Sequence, residues 1–341
     1  MHAWNSRILV GLGVTFVFFT CLALAQRPSV VDAYRVRYPY LDSELGARDW
    51  ARVTPALIDA HAYLSAPNAS AAVAWEQGMT SRAHEWPTPP SVPVRTLRTL
   101  RTLRASGASG VSGVSVPPDW VAPRAWRAST RPRYVYRQPP LCGVCYILSL
   151  CSAMEARCAG AASGFIDPRW ALCAGEFGCG GGLSDHVLRF FSEAGVLRAP
   201  AREWVTPNGY VDTHPDCAAL ALARAAPPRV AYRTVRVSTA SELRYLLLSA
   251  GPLVVGLDAR SLPFLLYAGG DAPFSGACGT TVNHAMLLVG YTEHAWVLQG
   301  PWGRDWGADG DMYLARFDAA GGETLRCALG AYVLVIDSCV L

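Results

Sequence analysis

Eleven cysteines, very unevenly placed, constrain this chain more than any other feature. After Cys21 none occurs until Cys142; nine then fall between Cys142 and Cys327, and Cys339 stands near the end. Cys21 lies inside an N-terminal stretch with a short basic start, Met1 to Arg7, and an almost wholly apolar run, Ile8 to Leu24. Ala23-Leu24-Ala25 adds a small-residue cleavage site, so residues 1–25 read as a secretory signal peptide. A secretory signal implies an oxidising compartment, where cysteines build a disulfide framework. The crosslinked unit is therefore the part of the chain from Cys142 onward. The apolar run is long for a signal, which leaves an uncleaved membrane anchor as the alternative. No comparable run follows, so no membrane contact is expected after signal removal. The expected location is the secretory pathway, ending outside the cell or in a lysosome- or vacuole-like compartment. Asn68-Ala69-Ser70 is a glycosylation sequon whose use at Asn68 depends on that reading.

Length and charge narrow the function classes. A chain of 341 residues can bury a large core. The net charge of +4 is too small and too spread out to point to nucleic acid. All the positive charge is arginine; the chain has no lysine. No metal or other cofactor is expected.

Residues 26–93 are cysteine-free and moderately helical in pattern. A threefold Arg-Thr-Leu repeat from Arg95 to Leu103 and a Ser/Gly-rich stretch from Ala105 to Ser115 follow. Together, over residues 94–115, they read as an exposed, protease-accessible linker. It is either a plain spacer or the junction at which 26–93 is removed as a pro-segment. The unit over 116–341 has a different texture. Cys145 to Ala159 has helical apolar spacing, and Ser184 to Ala194 reads as a helix with Ser184 as N-cap and Gly195 just past its end. Thr239 with Glu242 forms a capping box at the start of another helix. From Pro252 the pattern turns to strands: PLVVGLD, HAMLLVGY, AWVLQ, DMYLARF and AYVLVI. Helices first and strands second predict an α+β unit of two lobes.

The chemistry centres on Cys142-Gly-Val-Cys145-Tyr146 and Asn283-His284-Ala285. Alone, a CxxC pair is equally half a zinc site, a redox pair or two half-cystines. Cys145, however, sits where a helix begins, with Pro139-Pro140 and Gly143 keeping the preceding chain non-helical. That places a thiol at the positive end of a helix dipole, which favours the nucleophilic thiolate. His284 opens a strand 139 residues later (284 − 145) and would approach from the other lobe. A cysteine and histidine about 130–150 residues apart in sequence are the mark of one class of thiol nucleophile.

Over roughly residues 116 to 341 the chain resembles the papain family of cysteine peptidases. The resemblance is carried by CGVCY, by GCGGG at Gly178 to Gly182, by NHAMLLVGY at Asn283 to Tyr291 and by PWGRDWGADG at Pro301 to Gly310. Within the family it looks closest to the cathepsin C, X and B branch, on Tyr146, the Met154-Glu155-Ala156-Arg157 run and the length between Gln138 and Cys142. Ala74-Trp75-Glu76-Gln77-Gly78 resembles a short tryptophan–glycine motif of cathepsin B-like propeptides. The resemblance implies a papain-like two-lobed fold, a helical N-terminal lobe and a β-barrel-like C-terminal lobe with the active-site cleft between them.

It also implies roles. Cys145 would be the nucleophile, His284 the general base and acid, and Gln138, with the Cys145 N–H, the oxyanion hole. Gly181 and Gly182 would pair with the extended substrate backbone, Leu183 would line the neighbouring specificity pocket, and Trp302 would cover the histidine with Trp306 below it. Disulfide pairings carry over as Cys142–Cys179, Cys173–Cys217 and Cys278–Cys327. Cys151, Cys158 and Cys339 then remain. Cys151 and Cys158 lie about 10 Å apart along one helix and cannot bond to each other, so either one bridges to Cys339 or all three are buried thiols.

Two positions depart from the family pattern. Gly300 stands where the family has the asparagine that orients the histidine; Gln299, one residue earlier on a strand, should point to the other face. Gln138 lies one residue further from Cys145 than usual, and the Pro139-Pro140 turn would have to absorb the difference. The expectation is a cysteine-type peptidase, an endopeptidase by default, made as a secreted or lysosomal proenzyme with its pro-segment as inhibitor. It would hydrolyse peptide or protein substrates through a thioester acyl-enzyme, with activity lowered by Gly300. The alternative is a catalytically decayed papain-fold binding or scaffold protein.

Overall fold

A computed structural model describes residues 30–38, 47–65, 76–77, 114–129, 132, 134–158, 165–175, 177–207, 209–222, 225–270 and 272–341. The signal peptide, Asn68 and the Arg-Thr-Leu repeat lie outside the described residues. The chain runs through α1 (Val30–Arg37), α2 (Ala47–Ser65), β1 (Glu76–Gln77), β2 (Trp126–Arg127), α3 (Cys145–Arg157) and β3 (Phe165–Ile166). It continues through α4 (Arg169–Ala174), α5 (Ser184–Ala194), β4 (Arg198–Ala199), α6 (Cys217–Ala221), β5 (Arg229–Val235), α7 (Ala240–Ala250) and β6 (Leu253–Leu257). Last come α8 (Leu262–Leu265), β7 (Tyr267–Gly269), β8 (His284–Tyr291), β9 (Ala295–Gln299), β10 (Asp311–Ala315) and β11 (Val333–Val340).

The central helix α3 is buried nearly all round, with only Glu155 and Arg157 reaching partial exposure. Its apolar faces therefore meet protein on every side, and each buried Leu or Ile contributes roughly 1.5–3 kcal/mol. The helix ends two residues earlier than its spacing predicts. Cys158 has extended backbone because its sulfur bonds to Cys339 on β11, while Arg157 donates to the carbonyls of Ile336 and Asp337 at 3.2 and 2.7 Å. In α5 the N-cap is Leu183 rather than Ser184. The Ser184 hydroxyl is drawn away by tertiary contact and donates to the Tyr146 carbonyl at 2.8 Å. The capping box of α7 forms as the residues dictate, Thr239 accepting from the Glu242 N–H and Glu242 from that of Thr239.

The main sheet has the order β10-β9-β8-β6-β11-β5, with β2 beside β8, and its pairings are antiparallel. All eight residues of β8 are buried. Ala285, Leu287 and Val289 face the core built around α3, and Met286 and Leu288 face a second core with α7. Burial on both faces explains why this strand reads as a continuous apolar run rather than an alternation. The sheet is open, which corrects the expectation of a β-barrel-like lobe. Closure would need the two end strands, β10 and β5, to share ladder hydrogen bonds, and they lie at opposite ends of the order. Each edge is protected in another way. Phe274 bridges to β10, and β5 turns Arg229 and Arg233 outward.

A third cluster joins the two N-terminal helices to this unit. Tyr34, Tyr38, Trp50, Val53 and Leu57 pack on Tyr210, Leu262 and Leu266, with Leu141 against them. Further along, β1 pairs antiparallel with β7. Among the described residues no helix is long and apolar enough to cross a membrane.

Candidate active site

Cys145 is the first residue of α3, with Val144 as N-cap and no side chain capping the helix. The first-turn N–H groups therefore point at the sulfur's neighbourhood, an arrangement that favours negative charge there. Two ties fix the entry to the helix. Cys142 is bonded to Cys179, and the Gly143 N–H donates to the Cys179 carbonyl at 2.8 Å. A Cβ on Gly143 would come within 2.9 Å of that carbonyl oxygen, so a glycine is required for the approach.

His284 opens β8 directly opposite Leu257 of β6. Its ring stacks on Trp302, centroids 4.3 Å apart and planes inclined by 28°. Trp302 meets Trp306 edge-on at 4.7 Å, and the Trp306 indole N–H donates to the Leu265 carbonyl at 3.1 Å. The imidazole plane is thus set by an indole that is itself held by a buried, hydrogen-bonded neighbour. Among the described residues, the strand carrying His284 is bonded to the helix carrying Cys145 by Ser149, whose hydroxyl donates to the Ala285 carbonyl at 2.9 Å.

Gln138 reaches the same locus from the other side. Its N–H donates to the Pro301 carbonyl at 2.7 Å, Gly303 donates back to Tyr136 at 2.9 Å, and Arg137 bridges to Trp302. The segment before α3 therefore lies antiparallel to the loop that covers His284. After the two prolines Leu141 has a φ of 58°, which is rare for a residue with a Cβ. Its side chain packs on the cluster of Tyr34 and Trp50.

Gly181 and Gly182 lie along the helix start. Gly181 has φ of 85°, and a Cβ on Gly182 would meet the Tyr146 ring at 2.6 Å. Burial pushes the Tyr146 phenol up to about 12, with the neighbouring Cys145 adding to the rise, so it stays a neutral donor to the Gly178 carbonyl at 3.0 Å. Leu183 packs at the edge of the core that contains Cys145.

At Gly300 the room for a side chain is tight. A Cβ there would meet Met286 Cε at 3.1 Å and Trp306 Cζ3 at 3.4 Å. Met286 lies two residues beyond His284 on the same face of β8, so a side chain at 300 would project toward the histidine's side of the sheet. Gln299 pairs opposite Leu287, on the other face.

Four disulfides close the unit: Cys142–Cys179, Cys158–Cys339, Cys173–Cys217 and Cys278–Cys327. Cys145 and Cys151 take no part in a disulfide. Burial, and then Glu155 and Asp167, push the Cys151 thiol far up, which keeps it protonated and unreactive. Among the described residues no group of three histidine, cysteine or acidic side chains could hold a metal.

A polar network centred on the buried Asp258 carboxyl stands just before His284, and nothing in the sequence marked Asp258 as its centre. Asn283 donates to Asp258 Oδ1 at 2.8 Å and accepts from the Ala259 N–H at 3.0 Å, while Asp258 also accepts from Thr281 and Arg260. Ser149, by contrast, could have been found, because it lies one turn after Cys145 on the same helix face.

Residues 124–331 match the model of the family described as papain family cysteine protease. Mouse (Mus musculus) cathepsin K is 30% identical over 184 residues, which is 51% of this chain and 54% of that one. Chicken (Gallus gallus) cathepsin K is 30% identical over 214 residues, 58% of this chain and 61% of its own length. The chain thus spans little more than half the length of these curated relatives. Among solved structures, digestive procathepsin L 3 of Tenebrio molitor superposes with a TM-score of 0.63 at 16% identity, covering 91% of this chain and 99% of that chain. The recombinant stem bromelain precursor superposes at 0.62 with 19% identity, covering 90% and 97%. At such identities the likeness is one of fold.

Proposed function

Since the chain belongs to the papain family of cysteine proteases, we propose that it is a cysteine peptidase that hydrolyses peptide bonds through a thioester formed on Cys145. The observation that carries this reading is the joining of two elements. Cys145 opens α3, His284 opens β8, and Ser149 bonds the two together one turn beyond the sulfur.

The chemistry follows from the placement. His284 takes the thiol proton, and Cys145 Sγ attacks the scissile carbonyl carbon. The negative oxygen is met by the Cys145 N–H and the Gln138 amide. Collapse of that intermediate breaks the C–N bond, and the imidazolium returns its proton to the leaving amine. Water, deprotonated by His284, then attacks the thioester; the carboxylic acid leaves, and the sulfur regains its proton. Stacking on Trp302 supplies the orientation that a side chain at Gly300 does not.

We place residues 26–93 as a pro-segment, removed at the 94–115 linker and inhibitory until then. The packing of α1 and α2 on Tyr210, Leu262 and Leu266, and the pairing of β1 with β7, support this. The secretory signal, Asn68 glycosylation and a secreted or lysosome-like location belong to the same reading. So does the finer placement near the cathepsin C, X and B branch, which rests on Tyr146 and the Met154–Arg157 run. Endopeptidase is the default activity. Gly300, its side-chain space narrowed by Met286, favours the second reading, a decayed binding or scaffold protein.

Treating the processed protein with a peptide-like thiol electrophile and weighing it intact separates the two. The peptidase gains one adduct, absent in Cys145→Ala and lost or strongly slowed in His284→Ala. No adduct on Cys145 would sink the peptidase and leave the scaffold.

A further inference from the structure

Arg137 stands immediately before Gln138 and is bound by two separate loops. Its Nη2 donates to Asp305 Oδ1 at 2.6 Å, three residues beyond Trp302. Its guanidinium also lies over the Tyr210 ring, 5.4 Å from the centroid. The main chain is tied to the same two loops. Arg137 forms an antiparallel bridge with Trp302, and the Val211 N–H donates to the Arg137 carbonyl at 3.0 Å. The turn that presents Tyr210 is closed by its own bonds, the Thr206 N–H donating to the Tyr210 carbonyl at 2.8 Å and the Tyr210 N–H to Thr206 Oγ1 at 3.2 Å.

The loop beside Trp302 is shaped around this arginine. Gly303 has a φ of 81°, and a Cβ there would lie 2.5 Å from Arg137 Nε and 3.3 Å from its Cζ. A residue without a side chain lets the guanidinium cross to Asp305. Neighbouring residues of an extended segment point to opposite faces. With Arg137 turned toward Asp305 and Tyr210, the buried Gln138 is turned the other way.

We propose that Arg137 is a positioning residue for the oxyanion hole: its ion pair with Asp305 and its seat on Tyr210 fix the segment carrying Gln138 against the loop carrying Trp302. The proposal rests on the peptidase reading above and deepens it. Two main-chain bonds, Gln138 to Pro301 and Gly303 to Tyr136, flank the arginine. Its side chain adds a further tie to the same loop and one to a second loop. An oxyanion donor acts only within about 3 Å of the developing charge, so a small displacement of this segment reaches the rate. The ion pair is partly exposed, 18% at Arg137 and 26% at Asp305, and screening by water keeps its own contribution modest. The contact with Tyr210 adds to it.

The test compares two reactions of Cys145 in the processed protein. Hydrolysis of a peptide amide passes through a tetrahedral oxyanion. Alkylation by iodoacetamide does not, because the sulfur displaces iodide from a saturated carbon. Arg137→Met keeps the apolar stem and loses the charge. Its kcat should fall about 5- to 100-fold, between the effect of one ion pair and that of a lost oxyanion donor. Its KM and the alkylation rate of Cys145 should stay within about twofold, since neither reports the oxyanion. Arg137→Lys still offers Asp305 a charge and should return kcat to within about threefold of wild type. Asp305→Asn should lower kcat too, and by less once Arg137→Met has already broken the pair. An unchanged kcat in Arg137→Met overturns the proposal, as does alkylation that falls in step with kcat. Should Arg137→Met not fold, the same comparison in Asp305→Asn decides. A wild-type protein with neither turnover nor Cys145 alkylation is the distinct failure of the peptidase reading, and takes the proposal with it.

Discussion

The Ser149 hydroxyl donates to the Ala285 main-chain carbonyl at 2.9 Å inside the core. One residue lies four positions after Cys145 and the other one position after His284. The bond therefore ties the start of α3 to the start of β8 through rigid elements rather than loops. Its removal in Ser149→Ala withdraws a buried donor at a site water cannot reach. We expect a loss of about 1–3 kcal/mol in stability, read as a lower midpoint in urea unfolding of the full chain. The kcat should fall more than KM rises, because substrate contacts are untouched.

Trp302 holds the imidazole by stacking at 4.3 Å. Such a contact contributes roughly 0.5–1.5 kcal/mol beyond burial. Trp302→Ala should therefore slow acylation about 2- to 12-fold. Stopped-flow rates of thiol acylation check this. An unchanged rate would show that the ring only covers the site.

The Cys158–Cys339 bridge spans 181 residues of sequence and ties the far end of α3 to β11. Replacing both cysteines with alanine should cost about 2–4 kcal/mol, seen as a lower thermal midpoint. Alkylation of Cys145 at low temperature should persist, since the bridge lies at the opposite end of α3 from that residue.

Burial raises the Asp258 carboxyl, but hydrogen bonds from Arg260, Asn283 and Thr281 outweigh it and hold the group below its ordinary value. A carboxyl depressed in the folded state stabilises above its unfolded value of about 3.9, and that stabilisation is lost as pH falls through the folded value. Asp258→Asn should thus be less stable than wild type at pH 7. Below about pH 4 the gap should narrow, because only the wild type loses a charge there. Denaturant unfolding at pH 7 and at steps below 4 tests this; a gap that widens in acid would contradict it.

The sequence by itself determined the parts that depend on short-range chemistry. Pro139-Pro140 and Gly143 before an apolar helical run place Cys145 at a helix start. Thr239 and Glu242 cap α7 because both partners lie within one turn. The crosslinked unit follows from where cysteines occur. Which thiol bonds Cys339 was open, because Cys151 and Cys158 are chemically alike and differ only in which face of α3 meets β11. The same holds for Ser184, whose hydroxyl serves Tyr146 instead of the helix N-terminus, and for the positive φ of Leu141. The sheet was expected to close and stays open, since apolar runs predict strands but not which edges pair. Tyr332 gave no local sign of lying against Asp185, 147 positions away. Local propensity acts within a turn or two of chain, whereas these pairings depend on packing between segments far apart in sequence, and only the folded structure brings those segments into contact.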